Sequence, residues 1–135
     1  MDSNNINPER LISFWVAASD DDYETMIAMY DTKRYSWALF LGHLMIEKLL
    51  KAYHIKVNGT QPPYIHNLLR IAQGCKISMN DEQEFFFANV TSFNINTRYD
   101  DYKMTFQKKC TKEYTDEWIE KININRQWIK ELIQQ

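Results

Sequence analysis

The chain has 135 residues, of which 44% are hydrophobic, 14% aromatic and 25% charged, and it carries a formal net charge of -2 at pH 7. This length and apolar content fit one globular domain over residues 1–135, and they exclude a disordered chain or a small fold dependent on disulfide or metal staples. A charge so close to neutral excludes nucleic-acid binding through a strongly basic overall field, so any such binding must come from a local cationic cluster.

Asn7-Pro8 opens the first helix, with an N-cap side chain followed by a proline at the first helical position. Ile12, Trp15, Val16, Ser19, Tyr23, Met26, Ile27 and Tyr30 then recur at steps of three and four and form an inward stripe. Asp20-Asp21-Asp22 interrupts the stripe. Adjacent helical positions point about 100° apart, so these carboxylates cannot converge on one cation and are expected on a solvated face. Asp31-Thr32-Lys33-Arg34 is short enough for an antiparallel hairpin.

The second helix, from Tyr35 to about Ile55, is apolar almost all the way round in its first half, the mark of a helix packed on several sides. Its polar exceptions, His43, Glu47, Lys51 and His54, share one face. His43 with Glu47 is the beginning of a metal site, but Lys51 is next in the row and repels a cation. The other reading is a Glu47–Lys51 ion pair in a polar groove or subunit seam, worth about 0.3–0.5 kcal/mol if exposed. No metal or cofactor is expected.

Gly59 and Pro62-Pro63 end that helix, and His66 to Ala72 forms a short one closed by Gly74. His66 reads either as a structural hydrogen-bonding residue or as a proton carrier. Asn80 with Gln83 is a capping box for the next helix, whose inner stripe is Phe86, Val90 and Phe93. One of Phe85, Phe86 and Phe87 must face outward; with Trp37 and Phe40 it predicts an apolar patch suited to self-association. Asn94 to Tyr102 is rich in turn formers and reads as a loop, and Thr111 caps a last helix with Trp118, Ile122, Ile129 and Leu132 or Ile133 inward. These elements make an all-α, antiparallel up-and-down helical bundle of four main helices plus a short fifth.

Cys75 and Cys110 stand apart without metal-ligand spacing and read as reduced thiols. No basic segment leads into an apolar run at the N-terminus, and no stretch nears the roughly 18 apolar residues of a membrane span. A cytoplasmic protein without membrane contact is expected.

Arg98 to Lys103 gathers a guanidinium, an ammonium, two carboxylates and the rings of Tyr99 and Tyr102. Arg98 and Lys103 suit a phosphate while a tyrosine stacks on a base; the other reading pairs Arg98 with Asp100 or Asp101 and uses the tyrosines as a plug.

Four motifs now stand in order: Arg34-Tyr35-x-x-Ala38, Glu47-Lys48-x-Leu50-Lys51-Ala52, Pro62-x-x-x-His66-x-Leu68 and Arg98-Tyr99-Asp100. Their register resembles the HEPN domain (higher eukaryotes and prokaryotes nucleotide-binding), over nearly the whole chain. The resemblance implies an antiparallel bundle that forms a homodimer, with a ligand groove near the interface and often a nucleotidyltransferase partner protein. Ribonuclease members carry a histidine separated from the arginine by four to six intervening residues, where Lys103, Met104 and Thr105 stand here. Without it, general acid–base help worth about a hundredfold to ten-thousandfold is missing.

The leading expectation is therefore a non-catalytic, dimeric domain that binds a nucleotide or RNA end through Arg98, Tyr99, Tyr102, Lys103, Glu47 and Lys51. Two alternatives stay open. One is a metal-independent ribonuclease of a toxin-antitoxin or defence system, using Arg98, Lys103 and His66. The other is a pure protein-interaction module docked on a nucleotidyltransferase.

Overall fold

The computed structural model describes residues 7–135; the first six residues of the domain expected over 1–135 lie outside the described residues. The fold is an all-α antiparallel bundle. Among the described residues it has six helices: α1 (Pro8–Asp31), α2 (Tyr35–Asn58), α3 (Leu68–Gly74), α4 (Asp81–Arg98), α5 (Asp100–Lys109) and α6 (Lys112–Gln134). The expectation of four plus a short fifth is corrected by α5.

Local sequence sets most of the boundaries. Asn7 accepts from the Arg10 N–H at 3.2 Å with Pro8 at the first position, and Thr111 accepts from Tyr114 N–H at 3.2 Å. Asn80 and Gln83 close the reciprocal capping box at 2.8 and 3.0 Å. Gly59 ends α2 at φ 69°, a left-handed conformation, three residues later than expected. Beyond α3 the left-handed residue is Lys76 (φ 59°) rather than Gly74, and α3 begins at Leu68 with Asn67 as its cap, so His66, expected inside the helix, precedes it.

Central placement of α2 follows from its composition. Thirteen of its 24 residues are buried, and it packs on α1, α3, α4, α5 and α6. Gly42 is what lets α6 approach: a Cβ there would sit 2.6 Å from Ile122 Cδ1 and 3.4 Å from Met26 Sδ. Around α2 the core collects Phe86, Phe87, Val90 and Phe93 from α4 and Trp118, Ile122 and Ile129 from α6. Phe85 is the outward member of its triplet, 59% exposed.

Two expectations need correction. The Asn94 to Tyr102 segment is helical apart from Tyr99, the extended residue that separates α4 from α5. Asn94 and Thr97 have weak helix propensity, but both are buried beside Phe93, and that burial carries α4 on to Arg98. The Phe93 and Phe106 rings, 5.4 Å apart, then fasten α5 to α4.

The aspartate run is not one solvated face. Asp20 binds Arg126 (3.0 Å) and Lys130 (2.7 Å) on α6, Asp22 binds Lys48 (2.7 Å) on α2, and Asp21 is exposed. Positions two apart on a helix diverge by about 200°, which sends the outer carboxylates to different neighbours. Both cysteines are free and buried, and burial pushes each thiol up to about 12. Among the described residues no helix is long and apolar enough to cross a membrane.

Candidate functional site

The sequence-predicted residues fall into two groups. The first lies where α2 meets the segment leading into α3. Glu47, 5% exposed, has both carboxylate oxygens engaged: Oε2 with Lys51 Nζ at 3.0 Å and Oε1 with His66 Nδ1 at 2.9 Å. Lys51 is itself buried and sits 5.3 Å from the centroid of the Trp15 ring on α1. The ion pair expected in a polar groove or subunit seam is thus present and buried within the bundle, closed over by a tryptophan and a histidine.

His43 completes this group from below. It is fully buried, and its Nε2 lies 3.1 Å from the His66 carbonyl, which can only accept, so Nε2 carries the hydrogen and donates. Burial, its largest cause, lowers the His43 pKa, which keeps the ring neutral. Nδ1 is then an unprotonated, buried acceptor with no partner among the described residues. Together His43 and Glu47 pin both the backbone and the ring of His66, whose side chain stays 57% exposed. His54 stands apart, with ring nitrogens near Thr60 and Asn58.

The second group is the corner between α4 and α5. Arg98 ends α4, exposed, and makes no ion pair among the described residues; the expected partners Asp100 and Asp101 instead open α5 at its positive end. Tyr99 and Tyr102 are 57% and 54% exposed. Lys103 is half-buried, its Nζ 5.4 Å from the centroid of the Trp37 ring on α2. This corner therefore presents a free guanidinium, two open phenol rings and an ammonium anchored on an indole.

The two groups are neighbours along the bundle but do not touch. Trp37, beneath Lys103, lies ten residues before Glu47 on α2, a rise of roughly 15 Å. On α4, Thr91 accepts from Leu68 N–H at 2.9 Å and marks the level of the His66 segment; Arg98 is seven residues on, roughly 10 Å along the axis. Between them, Trp37, Phe40 and Leu44 form a half-buried apolar row, with Trp37 and Phe40 edge to face at 5.9 Å. Trp15 and Trp37 were not singled out as partners of the lysines, because cross-helix ring contacts leave no spacing signature. Among the described residues no cluster of three His, Cys, Asp or Glu side chains is arranged to hold a metal ion.

A protein-family model described as HEPN domain matches residues 12–132. The chain belongs to the HEPN domain family. No curated protein and no solved structure matches it significantly. The match spans all six helices of this HEPN domain in whole or nearly so, and both residue groups lie inside it.

Proposed function

We propose that this HEPN domain binds a nucleotide or an RNA end at the α4–α5 corner without cleaving it. Arg98 and Lys103 take phosphate oxygens, and Tyr99 or Tyr102 stacks on a base. The observation that carries this reading is Arg98 itself: an exposed guanidinium without a carboxylate partner among the described residues, flanked by two open tyrosine rings at a helix junction. Glu47 and Lys51, buried further along α2, act at a distance from the corner by holding the His66 segment in place. The Trp37–Phe40–Leu44 row is the surface that a second copy covers, which supports a homodimer, and a nucleotidyltransferase is the partner protein the family points to.

The missing histidine supports a reading without cleavage. The three positions after Arg98 at which ribonuclease members carry the histidine are Lys103, Met104 and Thr105 here, and the Lys103 ammonium rests on Trp37. Calorimetry with ATP, GTP and a short RNA tests the reading. Binding that is lost in Arg98→Ala supports it; no binding of any of the three leaves the interaction module as the better account. A monomeric mass by light scattering at micromolar concentration removes the homodimer.

One observation favours a second reading. His66 is held by a carboxylate at Nδ1 with its ring half outside, the arrangement of an oriented proton carrier. A ribonuclease using Arg98 and His66 should cut total RNA in the presence of a chelator, and His66→Ala should stop it. Intact RNA after prolonged incubation rejects that reading.

A further inference from the structure

α1 and α6 each pack along α2 but scarcely touch one another. They run antiparallel, and polar contacts tie them at two levels. At one, the Tyr30 hydroxyl donates to Asp116. At the other, Asp20 accepts from Arg126 at 3.0 Å and from Lys130 at 2.7 Å, and the Arg126 guanidinium lies 3.9 Å from the centroid of the Tyr23 ring. Asp116 and Arg126 are ten residues apart on α6, roughly 15 Å along its axis. Between the ties lies an open groove of about 500 Å³, lined by Ile27, Tyr30 and Asp31 from α1 and by Ile119, Glu120 and Ile124 from α6 among others.

The groove is more apolar than the core requires. The buried stripe of α6 runs through Thr115, Trp118, Ile122 and Ile129. Ile124, two positions after Ile122, points about 200° away from it and is 62% exposed. Ile27 and Ile119, half-buried, face the same gap from opposite helices. The rim is acidic: Asp31 and Glu120 line the groove, and Glu24 shares the α1 face of Ile27 and Asp31. All three are exposed and have no ion-pair partner among the described residues. Asp116 is already satisfied by Lys112 at 2.8 Å, and among the described residues no lysine or arginine lines the groove.

This charge decides between occupants. A nucleic acid is repelled. A second copy on a twofold axis would lay the face on itself, setting Asp31 and Glu120 of one copy against those of the other with no cation to answer them. We infer that the α1–α6 groove docks a cationic amphipathic helix of a different protein, its apolar stripe seated on Ile27, Ile119 and Ile124 and its lysines or arginines facing Asp31, Glu120 and Glu24. The distance between the ties takes roughly ten residues of such a helix, close to three turns, with anchors at steps of three and four. None of these residues belongs to the α4–α5 corner, so the groove and the corner stand or fall separately.

Isoleucine methyl spectra of the full chain, titrated with synthetic helical peptides, test it. The probe is an amidated lysine–leucine peptide of about 14 residues with its leucines on one face at steps of three and four. One control scatters the same leucines around the helix, and a second carries glutamates in place of the lysines. The probe should shift the Ile27, Ile119 and Ile124 methyls with a dissociation constant of about 100 μM or tighter, and each control should bind at least about tenfold more weakly. Ile124→Ser, and separately Asp31→Asn/Glu120→Gln, change only exposed side chains and should each weaken probe binding about fivefold to tenfold. Circular dichroism confirms that both variants fold. Silent methyls at about 2 mM probe overturn the inference, and so does a control that binds as tightly as the probe or an affinity unchanged in both variants. Methyl shifts that follow protein concentration without peptide, and disappear in Ile124→Ser, put a second copy in the groove and also overturn it.

Discussion

Replacing Glu47 by alanine removes the carboxylate that satisfies Lys51 and His66 together. At 3.0 Å the Glu47–Lys51 attraction is about 5 kcal/mol for an effective dielectric constant near 20, before desolvation is subtracted. The cost of the substitution is set instead by what it leaves behind, a buried ammonium with no counter-charge, typically about 3–5 kcal/mol. The Trp15 ring 5.3 Å from Lys51 Nζ offsets part of this, by about 1 kcal/mol. A net loss of about 3 kcal/mol is expected, which for a chain of this size lowers Tm by about 10 °C. Urea and thermal unfolding at pH 7 measure it. Glu47→Ala/Lys51→Met should recover most of the loss, because the orphaned charge is gone. A loss in Glu47→Ala below about 1 kcal/mol, the range of exposed pairs, refutes the reasoning.

Three other outcomes are expected. Gly42→Ala forces Ile122 Cδ1 aside; the overpacking outweighs the gain in helix propensity by about 1 kcal/mol, and Ile122→Val in the same chain recovers it. A stabilised Gly42→Ala single variant contradicts this. Burial holds His43 below the ordinary histidine pKa, so the native state binds fewer protons than the unfolded chain in that window. Its contribution is full above about pH 6.5 and is lost as pH falls toward the lowered value, with a slope of at most about 1.4 kcal/mol per pH unit. His43→Gln should flatten the stability profile between pH 7 and 5, whereas an unchanged profile assigns the slope elsewhere, for example to His54, whose burial acts with the same sign. Finally, thiols raised to about 12 stay protonated at pH 8, so a thiol reagent should label Cys75 and Cys110 only on unfolding. Rapid labelling of either in the folded chain refutes the assigned burial.

What could be read from the residues was mostly local. Asn7-Pro8, the Asn80–Gln83 box and Thr111 announced helix starts because a cap is a contact between residues two or three apart. Glu47 and Lys51 announced their pairing because four residues bring two side chains to one face. The α4–α5 junction was hidden, since Asn94, Thr97 and Tyr99 look like turn formers and only tertiary burial keeps α4 helical there. Asp100-Asp101 and Lys108-Lys109, at opposite ends of α5 with signs that suit a helix dipole, are a local trace of that helix in the sequence. The bond from His66 to Glu47 spans nineteen residues of loop and helix, and no local pattern encodes it.

We propose that the α4–α5 corner of this HEPN domain holds a nucleotide or RNA end through Arg98. Calorimetric titration of the wild-type chain and of Arg98→Ala with one short RNA tests it most directly, with the RNA recovered and sized afterwards. Saturable binding by the wild type, at least about tenfold weaker in Arg98→Ala, and RNA of unchanged length in both are expected. Equal affinities in the two proteins, or shortened RNA from the wild type alone, contradict it.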